Sequence, residues 1–292
     1  MAITGPLPIC TVGATFGEGP VWIPEEEALW FVDIKQKRVY RFRPGATTLD
    51  HWEAPAEIGW VLPLEEGGFL AGLQTGLHLF DPQTGFSAYQ KVEEHLPGNR
   101  LNDAATDAEG RLWFGSMDNG ETEQSGSLYC LSGRGLEKCE VPPVSITNGP
   151  TISPDGRTVY HIDTLGKTIF AHDLDSDGRP GPGRPIVQLE EGDGYPDGAI
   201  CDAEGNIWVG LFGGWSARLY SPEGHLLETV PFPVANVTKI ALGGDDGRTA
   251  FATTARKGLS DAELADQPFA GDVFSFRVET PGVPVTRIRL PR

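Results

Sequence analysis

The feature that most limits how this chain can fold is a unit of about 44 residues that recurs six times. Five copies are plain: GPVWIPEEEALWFVDI from Gly19, DAATDAEGRLWFGSM from Asp103, GPTISPDGRTVYHID from Gly149, GAICDAEGNIWVGLF from Gly198 and KIALGGDDGRTAFATT from Lys239. A weaker copy, VLPLEEGGFLAGLQ from Val61, completes the set. In each, an apolar strand enters a polar turn (EEG, AEG, PDG or DDG) whose Asp and Gly accept positive φ. A second strand rich in Trp, Phe, Val and Tyr follows, as buried strands require. Third strands read as RVYRFRP, GLHLFDP, GSLYCLS, TIFAHDL, ARLYSPE and DVFSFRV, and fourth strands such as HWEAP and LLETVPF are fainter. A sheet this small cannot bury both faces alone, so such units stack face to face around an axis. The expectation is all-β: one six-bladed β-propeller domain over residues 1–292, with PICTVG pairing with the last blade to close the ring. A sandwich would explain the strands but not their even spacing. The one helix signal is SDAELADQ, which Ser260 is placed to cap.

In a propeller the first strand of each blade lines the central channel, and the residue before it sits at the channel mouth. Aligning the six first strands puts Glu18, Trp60, Asn102, Asn148, Asp197 and Thr238 at that position, in steps of 42, 42, 46, 49 and 41 residues. Glu18, Asn102, Asn148 and Asp197 therefore converge near the axis, and each offers oxygen. Two carboxylates forced together cost on the order of several kcal/mol. A divalent cation removes that cost, and oxygen ligands suit Ca²⁺, Mg²⁺ or Mn²⁺. The absence of His and Cys argues against structural zinc but leaves catalytic Zn²⁺ or Fe²⁺ open. A lone Asn or Asp before Gly is an ordinary turn residue. Glu18 between two glycines is not, and four such residues in phase weigh toward a metal.

Other candidates surround this point. Arg100, two residues before Asn102, reaches the same mouth to hold a substrate oxygen, a surface ion pair being the plainer alternative. Tyr195 and Trp60 are expected to wall the pocket unless they are ordinary core. The loop MDNGETEQSG is either a solvated turn or a lid carrying Asp118 or Glu121. His161 reads as a packed core histidine. The formal net charge of −18, with no Lys/Arg cluster, disfavours nucleic acid and anionic membranes as partners. No apolar run reaches the length of a membrane span, and MAITGPLPIC lacks a signal-peptide pattern, so a cytoplasmic monomer is expected. Cys130 and Cys139 flank a turn, yet without a CxxC motif free thiols are expected.

The segments GEGPVW, FVDI, RLNDAATDAEGRLWFGSM, TNGP, SPDGRTVYHIDT, YPDG and TTARKG resemble the gluconolactonase, regucalcin (senescence marker protein) and luciferin-regenerating enzyme family. The likeness runs from about Thr15 to the C-terminus and is strongest to bacterial aldonolactonases, xylonolactonases among them. It implies a propeller with one divalent metal held by Glu18, Asn148 and Asp197. It implies a sugar lactone as the small-molecule substrate, contacted by Arg100 and Asn102. In animal members a Glu on the loop after the third blade's second strand also contacts the sugar. Here the matching position falls near Gly120, so Asp118 or Glu121 replaces it. In a lactonase of this kind Asp197 would act as the general base. No G-x-S-x-G elbow is present, which fits a water nucleophile. Three rivals remain: a non-enzymatic Ca²⁺-binding regulator, a peptide-binding scaffold and a phosphotriesterase-like hydrolase.

Overall fold

The computed structural model describes residues 5–291. The chain is a propeller of six antiparallel four-stranded sheets. The innermost strands, in blade order, are Gly17–Ile23, Ile58–Pro63, Asn99–Thr106, Thr147–Ile152, Tyr195–Cys201 and Val237–Gly243. Each blade then runs outward in chain order through three further strands. Blade six is the exception: its outermost strand, Leu7–Cys10, comes from the N-terminal end and pairs with Val273–Arg277. Thr238 joins the same seam from inside, donating its hydroxyl to Gly17 O at 2.7 Å. It is therefore a ring-closing residue and does not reach the site at the mouth.

The turn chemistry follows from the repeat. In the DAEG turns, Asp107 Oδ1 accepts from Glu109 N and Arg111 N at 3.0 Å, and Asp202 Oδ1 accepts from Glu204 N and Asn206 N at 2.9 Å. Gly110 and Gly205 supply the positive φ these reversals need, at 78° and 85°. Between blades the packing is aromatic: Trp30 stacks on Trp52 at 5.2 Å and meets Phe69 of the next blade at 4.4 Å. Ser260 caps Asp261–Asp266, the single α-helix among the described residues, through a reciprocal capping box with Glu263. All four cysteines are buried and free. Among the described residues no helix is long and apolar enough to cross a membrane.

Every innermost strand carries a β-bulge at the same depth. In blades one and four the bulge opens after Glu18 and Asn148, on Gly19 (φ 55°) and Gly149 (φ 73°). In blades three and five it opens one residue earlier in the repeat, so Asn102 and Asp197 lie within it, opposite Gly115 and Gly210. A bulge breaks the ladder and re-aims the side chain beside it. Here that turns polar residues of otherwise apolar strands toward the channel mouth. At the far end, residues 283–286 of the C-terminal segment cover a cavity of about 130 Å³. Ile288 N donating to Pro63 O at 2.8 Å and Arg289 N donating to Gly110 O at 2.9 Å hold that cover in place.

Candidate active site

The bulges assemble a hydrogen-bonded relay across three blades. Arg100 Nη1 donates to Asn102 Oδ1 at 2.7 Å, and Asn102 Nδ2 donates to Asn148 Oδ1 at 2.8 Å. Asn148 Nδ2 donates in turn to Asp197 Oδ1 at 2.7 Å and to Thr164 Oγ1 at 2.9 Å. Glu18 approaches from blade one, its Oε2 accepting from Gly19 N at 2.7 Å. All five side chains are buried, none more than 6% exposed. Burial, then the charge of nearby Asp103, pushes the Glu18 carboxyl up to about 8. Burial, then the charge of Glu18, holds Asp197 well above the usual carboxylate range. Over Arg100, Asn102, Asn148 and Asp197 opens a cleft of about 260 Å³. Its lining mixes polar side chains, Arg100, Asn102, Glu121 and Lys257, with apolar ones, Phe16, Met117, Ile146, Leu165 and Phe212. Tyr195 stands at the rim, 40% exposed, with Lys167 Nζ 5.0 Å from its ring centre.

Two expected site residues lie elsewhere. Trp60 is core: its ring fills the space over Gly72, where a Cβ would come within 2.3 Å of it, and it is 1% exposed. Blade two meets its neighbour instead through Gly59, where a Cβ would lie 2.1 Å from Asn102 O. Asp118 does not line the cleft. Its Oδ2 accepts from Thr122 N and Glu123 N at 2.8 Å and its Oδ1 from Gly120 N at 3.1 Å. Those donors hold its carboxyl down at about 2. It anchors the loop and leaves Glu121 as the loop's acid facing the cleft.

Residues 16–256 match the family described as SMP-30/Gluconolactonase/LRE-like region. The chain belongs to that family. A 6-deoxy-6-sulfogluconolactonase of Pseudomonas putida is 33% identical over 277 residues, covering 92% of this chain and 93% of that one. An L-arabinolactonase of Azospirillum brasilense is 36% identical over 278 residues, covering 94% and 92%. Among solved structures, a calcium-binding protein, regucalcin, from Agrobacterium tumefaciens superposes with a TM-score of 0.93 at 27% identity, covering 99% of this chain and 98% of that one.

This SMP-30/gluconolactonase member carries charged residues in the channel and around the cleft that the repeat alignment passed over. Lys239 spans the channel from blade six to donate to Asp103 Oδ1 and, at 3.2 Å, to Ala104 O. Both partners of this ion pair are buried. Asp103 Oδ2 has no hydrogen-bond partner. A lysine at the head of the apolar run KIALG was the available signal. Glu57 holds Lys35 Nζ at 3.0 Å and lies 3.9 Å from Arg100 Nε, fixing the guanidinium's outer side. Lys257 lies on the long connection between the second and third strands of blade six, outside the aligned strand positions.

The residues suit a divalent cation by their donor chemistry. Among the described residues no three His, Cys, Asp or Glu side chains gather as a metal set. A cation here must therefore take two carboxylates and a neutral oxygen. Glu18, Asp197 and the Asn148 carboxamide supply that combination, which favours hard ions. Asn148 directs its nitrogen at Asp197. Ligation through Oδ1 requires the Asn148 amide to turn over, which also gives up the hydrogen bond that Oδ1 accepts from Asn102 Nδ2.

Proposed function

We propose that this protein hydrolyses a sugar lactone to the aldonic acid, with one divalent cation held by Glu18, Asn148 and Asp197. The observation that carries the reading is a buried carboxylate and a carboxamide, Asp197 and Asn148, lining a cleft of about 260 Å³, with the buried Glu18 carboxyl close enough to raise the proton affinity of Asp197. The sugar lactonases to which the chain is similar support the same reading. When bound, a cation in this set supplies Lewis-acid polarisation of the ester carbonyl.

The chain's own residues do the rest. Asp197 gives one oxygen to Asn148, and its other oxygen has no hydrogen-bond partner among the described residues. It takes a proton from water as the water oxygen bonds to the acyl carbon. The ring C–O bond then breaks, and that proton passes to the departing ring oxygen. The products are a carboxylic acid and a hydroxyl on one open chain. Arg100 is locked by Asn102, Asn119 and Glu57, so it presents a rigid donor edge to the substrate. A preorganised donor raises rate by fixing the attack angle. The apolar lining residues Met117, Ile146, Leu165 and Phe212 offer surface to the C–H groups of the ring.

Asp197→Asn is expected to lower kcat at least about a hundredfold, the usual contribution of a general base, while metal content stays measurable by elemental analysis. Asp197→Ala loses both. Full activity in the Asn variant removes the base role. Turnover of a lactone panel by chelator-treated protein, with each of Ca²⁺, Mg²⁺, Mn²⁺, Zn²⁺ and Fe²⁺ added back, identifies the working ion. The likeness to a calcium-binding regucalcin favours one second reading, a Ca²⁺-binding regulator without turnover. Tight Ca²⁺ binding with no hydrolysis of any lactone would select it.

A further inference from the structure

Lys257 and Glu121 meet across the cleft from opposite sides of the ring, 136 residues apart in sequence. Lys257 Nζ donates to Glu121 Oε1 and lies 5.0 Å from the Phe16 ring centre. Its backbone is pinned: Lys257 N donates to Thr15 O at 2.9 Å, and Lys257 O accepts from Asn236 Nδ2 at 3.0 Å. Glu121 is held as firmly. It adopts φ 59°, and its N donates to Asp118 O at 3.0 Å inside the loop that the Asp118 carboxylate cages.

This pair is a poor stability device. The two side chains are 31% and 36% exposed, and exposed ion pairs contribute about 0–1 kcal/mol. The pair therefore adds little to the stability of the fold. What the arrangement provides is a fixed donor and a fixed acceptor, side by side, lining the cleft. Together they carry no net charge. A hydroxyl both donates and accepts, so a pair of ring hydroxyls matches such a site. An anionic substituent would gain one partner and be repelled by the other.

We infer that Lys257 is a specificity-determining residue that, with Glu121, binds the hydroxyls of a neutral polyhydroxylated lactone and disfavours lactones bearing a negative charge. The inference rests on the lactonase reading and deepens it by naming the substrate class. Lys257 donates to one hydroxyl oxygen, and Glu121 accepts from the neighbouring hydroxyl.

The test compares glucono-1,5-lactone, δ-valerolactone and the anionic glucaro-1,4-lactone on the full-length protein, with the activating ion present and spontaneous hydrolysis subtracted. Lys257→Met keeps the aliphatic stem over Phe16 and removes the donor. It is expected to lower kcat/KM for gluconolactone, mainly through KM, about tenfold more than for δ-valerolactone, the effect of one charge-assisted hydrogen bond. Lys257→Gln, a neutral donor, recovers part of that discrimination and stands in if the Met variant folds poorly. Glu121→Gln is expected to raise the ratio of glucarolactone to gluconolactone turnover. If the Lys257 variants slow both neutral lactones in equal proportion, or Glu121→Gln leaves the anion ratio unchanged, the inference is overturned while the lactonase reading stands. If the unaltered protein turns over none of the three with any divalent ion, the lactonase reading falls first and takes this inference with it.

Discussion

Glu18 and Asp197 are acids placed where water does not solvate them; burial and then the charge of Asp103 raise the proton affinity of Glu18, and burial and then the charge of Glu18 raise that of Asp197. The consequence for stability has a definite sign. In the metal-free protein the Glu18 carboxyl rises from 4.5 to about 8, so the folded chain holds a proton that the unfolded chain has released. Its contribution is fully present below about 4.5 and is lost as pH rises through about 8. Melting of chelator-treated protein is therefore expected to move to lower temperature between those limits. Adding the activating ion should stabilise the protein most at the alkaline end. A melting temperature that climbs across this range without metal would contradict the burial argument. The four oxygen-bearing residues at this point were legible in the sequence because a repeat fixes phase. Asp118 and Trp60 were not, for different reasons. Asp118 looks like a free acid until the backbone N–H groups of its own loop are seen to surround it. Trp60 sits at the right spacing in a blade whose bulge holds a single extra residue, Gly59, and its ring turns to the core.

At the level of the strand, the site depends on bulges and on the glycines that let blades approach. Gly115 faces Thr147 Cγ2, which a Cβ would meet at 2.5 Å, and Gly210 faces Thr238 O at 2.4 Å. These contacts bring Asn102 and Asp197 within reach of the next blade. Gly59→Ala is expected to destabilise the protein by about 1–3 kcal/mol, since the added methyl overlaps backbone that cannot rotate away. It should also lower activity, because the atom displaced is the carbonyl of Asn102 itself. Denaturant titration beside a rate measurement checks both. Unaltered activity would show that the position of Asn102 is not critical. From sequence these glycines read as turn or spacing residues. Their necessity appears only when the neighbouring strand is in place.

The whole molecule is a closed ring in which the N-terminal strand fastens the last blade. Leu7, Pro8 and Cys10 pair with Ser275, Phe274 and Val273, and Asp272 Oδ1 accepts from Val12 N and Gly13 N at 2.8 and 3.0 Å. Deleting residues 1–11 is expected to lower the melting temperature by on the order of 5 °C or more, a few kcal/mol in a chain of this size, and to promote self-association through the bared edge of Val273–Arg277. Differential scanning and light scattering read both effects. An unchanged melting point would mean that closure from blade six to blade one rests on Thr238 and side-chain packing alone. By itself the sequence determined the number of blades, the strand order within each and the oxygen donors at the mouth, because a repeat transmits position through its period. The tertiary structure alone decided which charges meet inside the channel and at the cleft. The reach of Lys239 to Asp103 and of Lys257 to Glu121 crosses the ring between segments some 136 residues apart. No local pattern encodes such distances, which exist only once six sheets have closed on one axis.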